Sequence, residues 1–227
     1  MKKIGLLIFA FALIIGVVAS FSTSFGRFSF FTPKVVGSGI LKTEARNVSD
    51  FNTVETSGAM NVEIIAAKEF SVEVDADDNL LEYVKTELDG STLKIYTEKW
   101  FTSKSKMNVR ISMPELSSAK VSGASNLTIT DIKNDDLTLK ASGASKIKVA
   151  GETKSFDFKL SGASQLDAEN LSSEIADAKV SGASNAVLNV TESLDADASG
   201  ASRISYIGEV KSLKKHSSGS SSIKQRN

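Results

Sequence analysis

The chain has 227 residues, enough for one domain with a sizeable core or for a domain plus an appendage. Its 27 Lys and Arg balance 27 Asp and Glu, so no global field draws it to nucleic acid or to an anionic membrane. It has no cysteine, which excludes disulfides, thiolate metal sites, cysteine nucleophiles and a lipidated N-terminal Cys.

Lys2 and Lys3 precede an uncharged run from Ile4 to Ala19. A basic head followed by an apolar stretch of this length is the pattern of an export signal, and it is short for a membrane span. Val17-Val18-Ala19 places small residues where signal cleavage needs them, so cleavage after Ala19 is one reading. Phe21, Phe25, Phe28, Phe30 and Phe31 prolong the apolar character, and a retained anchor is the other. In both cases export is expected, to the periplasm, the outer-membrane surface or the medium. Residues 1–20 are read as signal or anchor, 21–36 as a linker, and 37–227 as one domain.

The domain opens irregularly. Phe70-Ser-Val72-Glu-Val74 alternates like a strand. Asp77 or Asp78 is placed to N-cap a helical stretch over 79–88, whose apolar spacing also fits a bent strand. Asp89-Gly90 is a hairpin signal leading into Leu93-Lys-Ile95-Tyr-Thr97. A basic polar loop at 102–106 precedes a strand at 107–113. These segments read as early rungs that cap a regular array, since a bare end exposes core and strand edges.

The array itself is a repeat. Ser-Gly-Ala-Ser occurs at 122–125, 142–145, 161–164, 181–184 and 199–202, preceded by Ser57-Gly58-Ala59-Met60 and followed by Ser218-Gly219-Ser220-Ser221. From Gly123 through Gly143, Gly162, Gly182 and Gly200 to Gly219 the spacings are 20, 19, 20, 18 and 19. Two residues before each glycine stand Val121, Ala141, Leu160, Val180 and Ala198; four after it stand Leu127, Ile147, Leu166, Ala186 and Ile204. Period-2 apolar spacing on both sides of a fixed glycine reads as two short strands meeting at a bend. A third alternating piece, such as Phe156-Asp-Phe158, leads into the next bend.

A unit of about 19 residues is too short for a βα repeat and cannot bury its own apolar face, whereas stacked coils enclose a continuous core. The expected fold is therefore all-β, a single-stranded parallel β-helix, right-handed because parallel crossovers almost always are. Gly58, Gly123, Gly143, Gly162, Gly182 and Gly200 are the expected rung corners, where a Cβ would be forbidden. Alternation does not settle which serine of each corner faces inward.

The block from Phe51-Asn-Thr-Val54 through Ser57-Gly58-Ala-Met-Asn-Val62, the block from Asp77-Asp78-Asn79-Leu80 through Asp89-Gly90-Ser-Thr-Leu93, and the Ser-Gly-Ala-Ser rungs together resemble the family described as "putative auto-transporter adhesin, head GIN domain" over roughly 45–210. The resemblance implies a right-handed parallel β-helix in the cell envelope and little chemistry.

The residues point the same way. The single histidine, His216, lies in the last ragged rung, so neither a zinc site nor a Ser-His-Asp arrangement is expected. Asp75, Asp77 and Asn79 echo a calcium loop, but Leu80 and Thr86 stand where glycine and glutamate belong, and a turn is the better reading. No catalytic residue, cofactor or metal is assigned and the chain is read as no enzyme. The alternative is a carbohydrate-active enzyme of the polysaccharide lyase or hydrolase kind, which would need acids gathered on one face. Trp100 and Phe101, beside Lys104 and Lys106, are a candidate ligand surface, with core cover as the plainer reading.

Lys120, Lys140, Lys159 and Lys179 fall three residues before successive glycines and should form an outward column about 4.8 Å per step. Asp157, Asp177 and Asp195 form a neighbouring column that offsets their repulsion. The ridge is then a neutralised solvated face, or else a dock for an acidic glycan. The expected role is a binding or structural module for an envelope glycan or protein, not for nucleic acid, touching membrane only through an uncleaved N-terminal segment.

Overall fold

A computed structural model of the chain describes residues 35–226, and the segment read as signal or anchor lies outside them. The described chain is all-β apart from one short 3-10 turn at Leu81–Tyr83. It winds into a parallel β-solenoid of about five turns.

The strands Asn126–Ala141, Lys146–Leu160, Gln165–Val180 and Asn185–Ala198 stack in parallel. Register is continuous through them: Leu127 pairs with Ile147, Ile147 with Leu166, Leu166 with Ala186, and Ala186 with Ile204. Every one of these side chains is buried. Each strand has one face on the core and one in solvent, so its inward positions are apolar and its outward positions polar. This is why the chain reads as alternating, although parallel sheets covered on both faces read as continuous apolar runs.

At each corner the glycine takes a left-handed conformation, with φ between +75° and +83° from Gly123 to Gly200. The alanine that follows donates its amide to the glycine carbonyl of the preceding corner, as in Ala163 to Gly143 at 2.8 Å. Ser125, Ser145, Ser164, Ser184 and Ser202 face inward and are buried, which settles the serine left open by the sequence. Their hydroxyls donate to backbone carbonyls at or beside the corners, Ser164 Oγ to Ser161 O at 2.9 Å and Ser184 Oγ to Gly162 O at 3.3 Å. Each of these five buried hydroxyls thus has a partner.

The solenoid bends again with no fixed residue type. Register shifts mark the place, between Ile129 and Ile132, and between Lys148 and Ala150. Asp131 and Gly151 take positive φ of 62° and 135° there. Pairing resumes on both sides of the shift, so the second and third alternating pieces of each turn form one long bent strand.

The two ends differ. At the first end the parallel order gives way to antiparallel pairs, Leu41–Ala45 on Ser71–Asp77 and the hairpin of Val84–Asp89 with Thr92–Thr97. Residues 79–88 do not form the helix that Asp77 or Asp78 would cap. Leu80, Leu81 and Val84 are all buried, a spacing met by one tight turn followed by a strand. The strand Val35–Val36, within the stretch read as a linker, pairs with Phe101–Thr102.

At the second end the last turn, Ser212–Ser217 and Ser222–Gln225, puts Lys215 in the core register of Ala196 and Gln225 in that of Tyr206. Lys215 Nζ sits 5.2 Å from the Tyr206 ring centroid and covers the end of the core with a charge. Lys215→Val should expose an apolar end to other copies. Sedimentation velocity should then give a higher average mass than wild type at equal concentration, and an unchanged mass would show that the end is closed by other means.

Candidate binding faces

The corner and the two flanking strands present two long outward faces. On the face before the corner, register sets Lys94, Glu55, Lys120, Lys140, Lys159, Lys179, Asp197 and His216 in one column. The sequence repeat showed the four lysines, but Glu55 and Lys94 enter only through pairings that the irregular early turns hide. Lys120 Nζ meets Glu55 at 2.7 Å, and Lys179 Nζ meets Asp177 at 2.9 Å. The Asp177 hydrogen bond, with Asp157 and Asp195 nearby, raises the Lys179 pKa. Lys140 and Lys159 are exposed and form no ion pair among the described residues. The ridge therefore has two engaged ends and a free basic centre.

The face after the corner carries a column that the sequence reading missed. Register aligns Asn108, Asn61, Asn126, Lys146, Gln165, Asn185 and Arg203. The first three are a ladder of side-chain amides: Asn126 Nδ2 donates to Asn61 Oδ1 at 2.9 Å, and Asn61 Nδ2 to Asn108 Oδ1 at 3.0 Å. Beside it, two residues on, run Thr128, Lys148, Asp167 and Val187. A shallow groove of about 750 Å³ lies along these columns from Asn126 to Asn185, and a further hollow of about 380 Å³ continues past Asn61 and Asn108. A polar residue three places after each glycine was the available signal. It went unread because no single residue type repeats there.

The acids at 75–78 are committed to structure. Burial works against the Asp75 carboxylate, but hydrogen bonds from Arg110 and Thr43 outweigh it and hold its pKa below the ordinary range. Arg110 clamps both Asp75 and Glu73, which raises its own pKa. Asp77 is fully buried, and its pKa is lowered by hydrogen bonds from the Ser105 side chain and the Lys104 amide. Asp78 accepts from Ser38. Three carboxylates with three separate sets of partners do not form a calcium loop, and among the described residues no cluster of His, Asp and Glu is arranged to hold a metal.

Trp100 and Phe101 do not form one platform. Strand alternation sends Phe101 against the core while Trp100 stands 94% exposed. Gly58, Gly123, Gly143, Gly162, Gly182 and Gly200 all lie in one stacked line of corners.

A family model described as "putative auto-transporter adhesin, head GIN domain" matches residues 50–210. No protein of curated function matches the chain. Among solved structures, a "putative adhesin" from Bacteroides fragilis is 20% identical with a TM-score of 0.71, over 85% of this chain and 100% of that one. A "putative lipid binding protein" from Parabacteroides distasonis is 20% identical with a TM-score of 0.54, over 86% of this chain and 100% of that one. A "putative adhesin" from Parabacteroides merdae is 18% identical with a TM-score of 0.56, over 86% of this chain and 99% of that one. At these identities the likeness shows a shared fold.

Proposed function

Since this chain belongs to the family described as "putative auto-transporter adhesin, head GIN domain", we propose that it is an exported, non-catalytic, adhesin-like module that lays an extended polyhydroxylated chain, an envelope glycan, along the groove after the corners. We read the coil as right-handed, the sense parallel crossovers take, with rungs of about 19 residues. The observation that carries the reading is the unbroken column of polar side chains from Asn108 to Asn185, along which two shallow hollows lie end to end. Side-chain amides offer a donor and an acceptor side by side, which suits the paired hydroxyls of a sugar ring. Columns that repeat from turn to turn suit a polymer that repeats in the same direction.

The enzyme reading finds less support. Glycoside cleavage needs two carboxyl groups facing one another across the bond, with no basic group clamping them together; the close carboxylate pair of Glu73 and Asp75 is held by Arg110. Asp157, Asp177 and Asp195 share one column, in which Asp177 pairs with Lys179 and Asp195 with Lys214.

A glycan array probed with the full chain should identify the polymer. Replacing Asn126, Gln165 and Asn185 together with Ala should then lower retention on it at least tenfold without changing the melting temperature, since all three side chains are exposed. Retention that survives this change but falls on Lys140→Glu with Lys159→Glu would move the site to the lysine ridge. Retention unaffected by either change would overturn both faces.

A further inference from the structure

The four most exposed large apolar side chains of the described residues lie at one end. They are Trp100 at 94%, Ile40 at 65%, Leu41 at 56% and Val36 at 54%. The backbone brings them together. Val35–Val36 pairs with Phe101–Thr102, the Gly37 amide donates to Thr102 O at 2.8 Å, and Lys104 Nζ donates to Ser38 O at 3.4 Å. Residues 35–38 thus run beside 101–104, Ile40 and Leu41 continue alongside Asp78 and Asp77, and Asp77 accepts the Lys104 amide; Trp100 stands where the first pairing begins.

This apolar patch has a basic surround. Lys42, Lys99, Lys104 and Lys106 are all exposed. Four acids of the adjoining strands are engaged: Asp77 accepts the Lys104 amide, Asp78 accepts from Ser38, Glu44 pairs with Arg46, and Glu98 pairs with Lys85, while Glu82 beside Tyr83 stays exposed. Lys99 Nζ lies 4.7 Å from the Tyr83 ring centroid, which fixes a cation close to the tryptophan.

An exposed tryptophan and isoleucine contribute nothing to the core and keep apolar area in water. A bilayer interface takes both halves of the pattern, with apolar and indole groups entering the headgroup region and lysines facing lipid phosphates. We propose that this end of the solenoid rests on an anionic lipid bilayer, with Trp100 and Ile40 inserted and Lys99, Lys104 and Lys106 on the headgroups. The occupant follows from where the chain comes from. Val35 directly follows residues that begin with Lys2 and Lys3, pass through the uncharged run Ile4 to Ala19, and include five phenylalanines between 21 and 31. The 15 residues from 20 to 34 are all that separates that uncharged run from this end in the sequence. The contact stands apart from the glycan groove and does not depend on it.

Trp100 is the only tryptophan in the chain, so its emission reports this site alone. The full chain is incorporated into vesicles of phosphatidylcholine with or without phosphatidylglycerol. With phosphatidylglycerol, Trp100 emission should shift to the blue and be quenched by brominated acyl chains. Lys99→Gln, Lys104→Gln and Lys106→Gln together should weaken the contact by about a hundredfold, read as loss of most of the blue shift that phosphatidylglycerol produces. Ile40→Ser with Leu41→Ser, both outside the core, should return the emission toward the red. The proposal is overturned if the chain sediments with vesicles while Trp100 keeps its emission in buffer and stays open to iodide. A blue shift produced by polysaccharide without lipid would equally overturn it and assign the patch to a glycan.

Discussion

Gly162→Val should lower stability by roughly 3–5 kcal/mol, on the order of 10 °C in melting temperature for a domain of this size. Two costs add. Gly162 sits at φ +75°, where an L side chain is strained, and a Cβ there would lie 2.5 Å from the Gly143 carbonyl oxygen. That oxygen cannot move aside, because it accepts the Ala163 amide at 2.8 Å. The clash is with backbone of the turn below, so that turn is disturbed as well. Gly90→Ala separates the two costs: Gly90 is also left-handed, at φ +58°, but nothing lies within 4 Å of its missing Cβ. It should lose only about 1 kcal/mol. Equal melting temperatures for the two variants would show that the stacked corner is not close-packed.

Phe156→Ala should cost about 3–5 kcal/mol, read as a lower urea midpoint with an unchanged slope. Phe156 is 1% exposed and lies in register between Leu137 and Ala176, with the Phe158 ring 5.1 Å away. The large ring is accommodated because the next turn is small there, Ala176 and Ala178 standing beside Phe156 and Phe158. Ala176→Leu alone should overpack and cost about 1–3 kcal/mol. Combined with Phe156→Ala it should cost less than the sum, with a coupling of about 0.5–3 kcal/mol. Strict additivity would mean that the two turns do not share interior space.

The regular turns were legible because two constraints repeat together. The corner requires glycine whatever surrounds it, and the inward positions two before and four after it require an apolar side chain, as in Leu160 and Leu166. The second bend was harder to read: Asp131, Gly151 and Gly208 each reach positive φ eight residues after a corner glycine, but the side chain changes from turn to turn and Asn170 and Val190, at the same place in the turns between, do not share the conformation. The early turns were partly hidden by their insertions: Glu55 joins the lysine column only because Thr53–Gly58 pairs with Ser118–Gly123, some 65 residues along. The stretch 79–88 misled because apolar residues at 80, 81 and 84 fit a helix face as well as a turn entering a strand. The amide groove was overlooked because its column mixes Asn, Lys, Gln and Arg, which share hydrogen-bonding capacity and no letter.

Lys215 over Tyr206 separates where the solenoid stops from how long it is. Terminating features sit only in the first and last turns, and an interior turn meets nothing but other turns. Copying one corner-to-corner stretch, such as 143–161, would therefore insert a turn between two compatible neighbours and leave both ends as they are. Each copy would extend the outer faces by about 4.8 Å. Within a lineage, the reach of such a protein is a digital quantity that a single in-frame duplication can change, like adding a mark to a ruler.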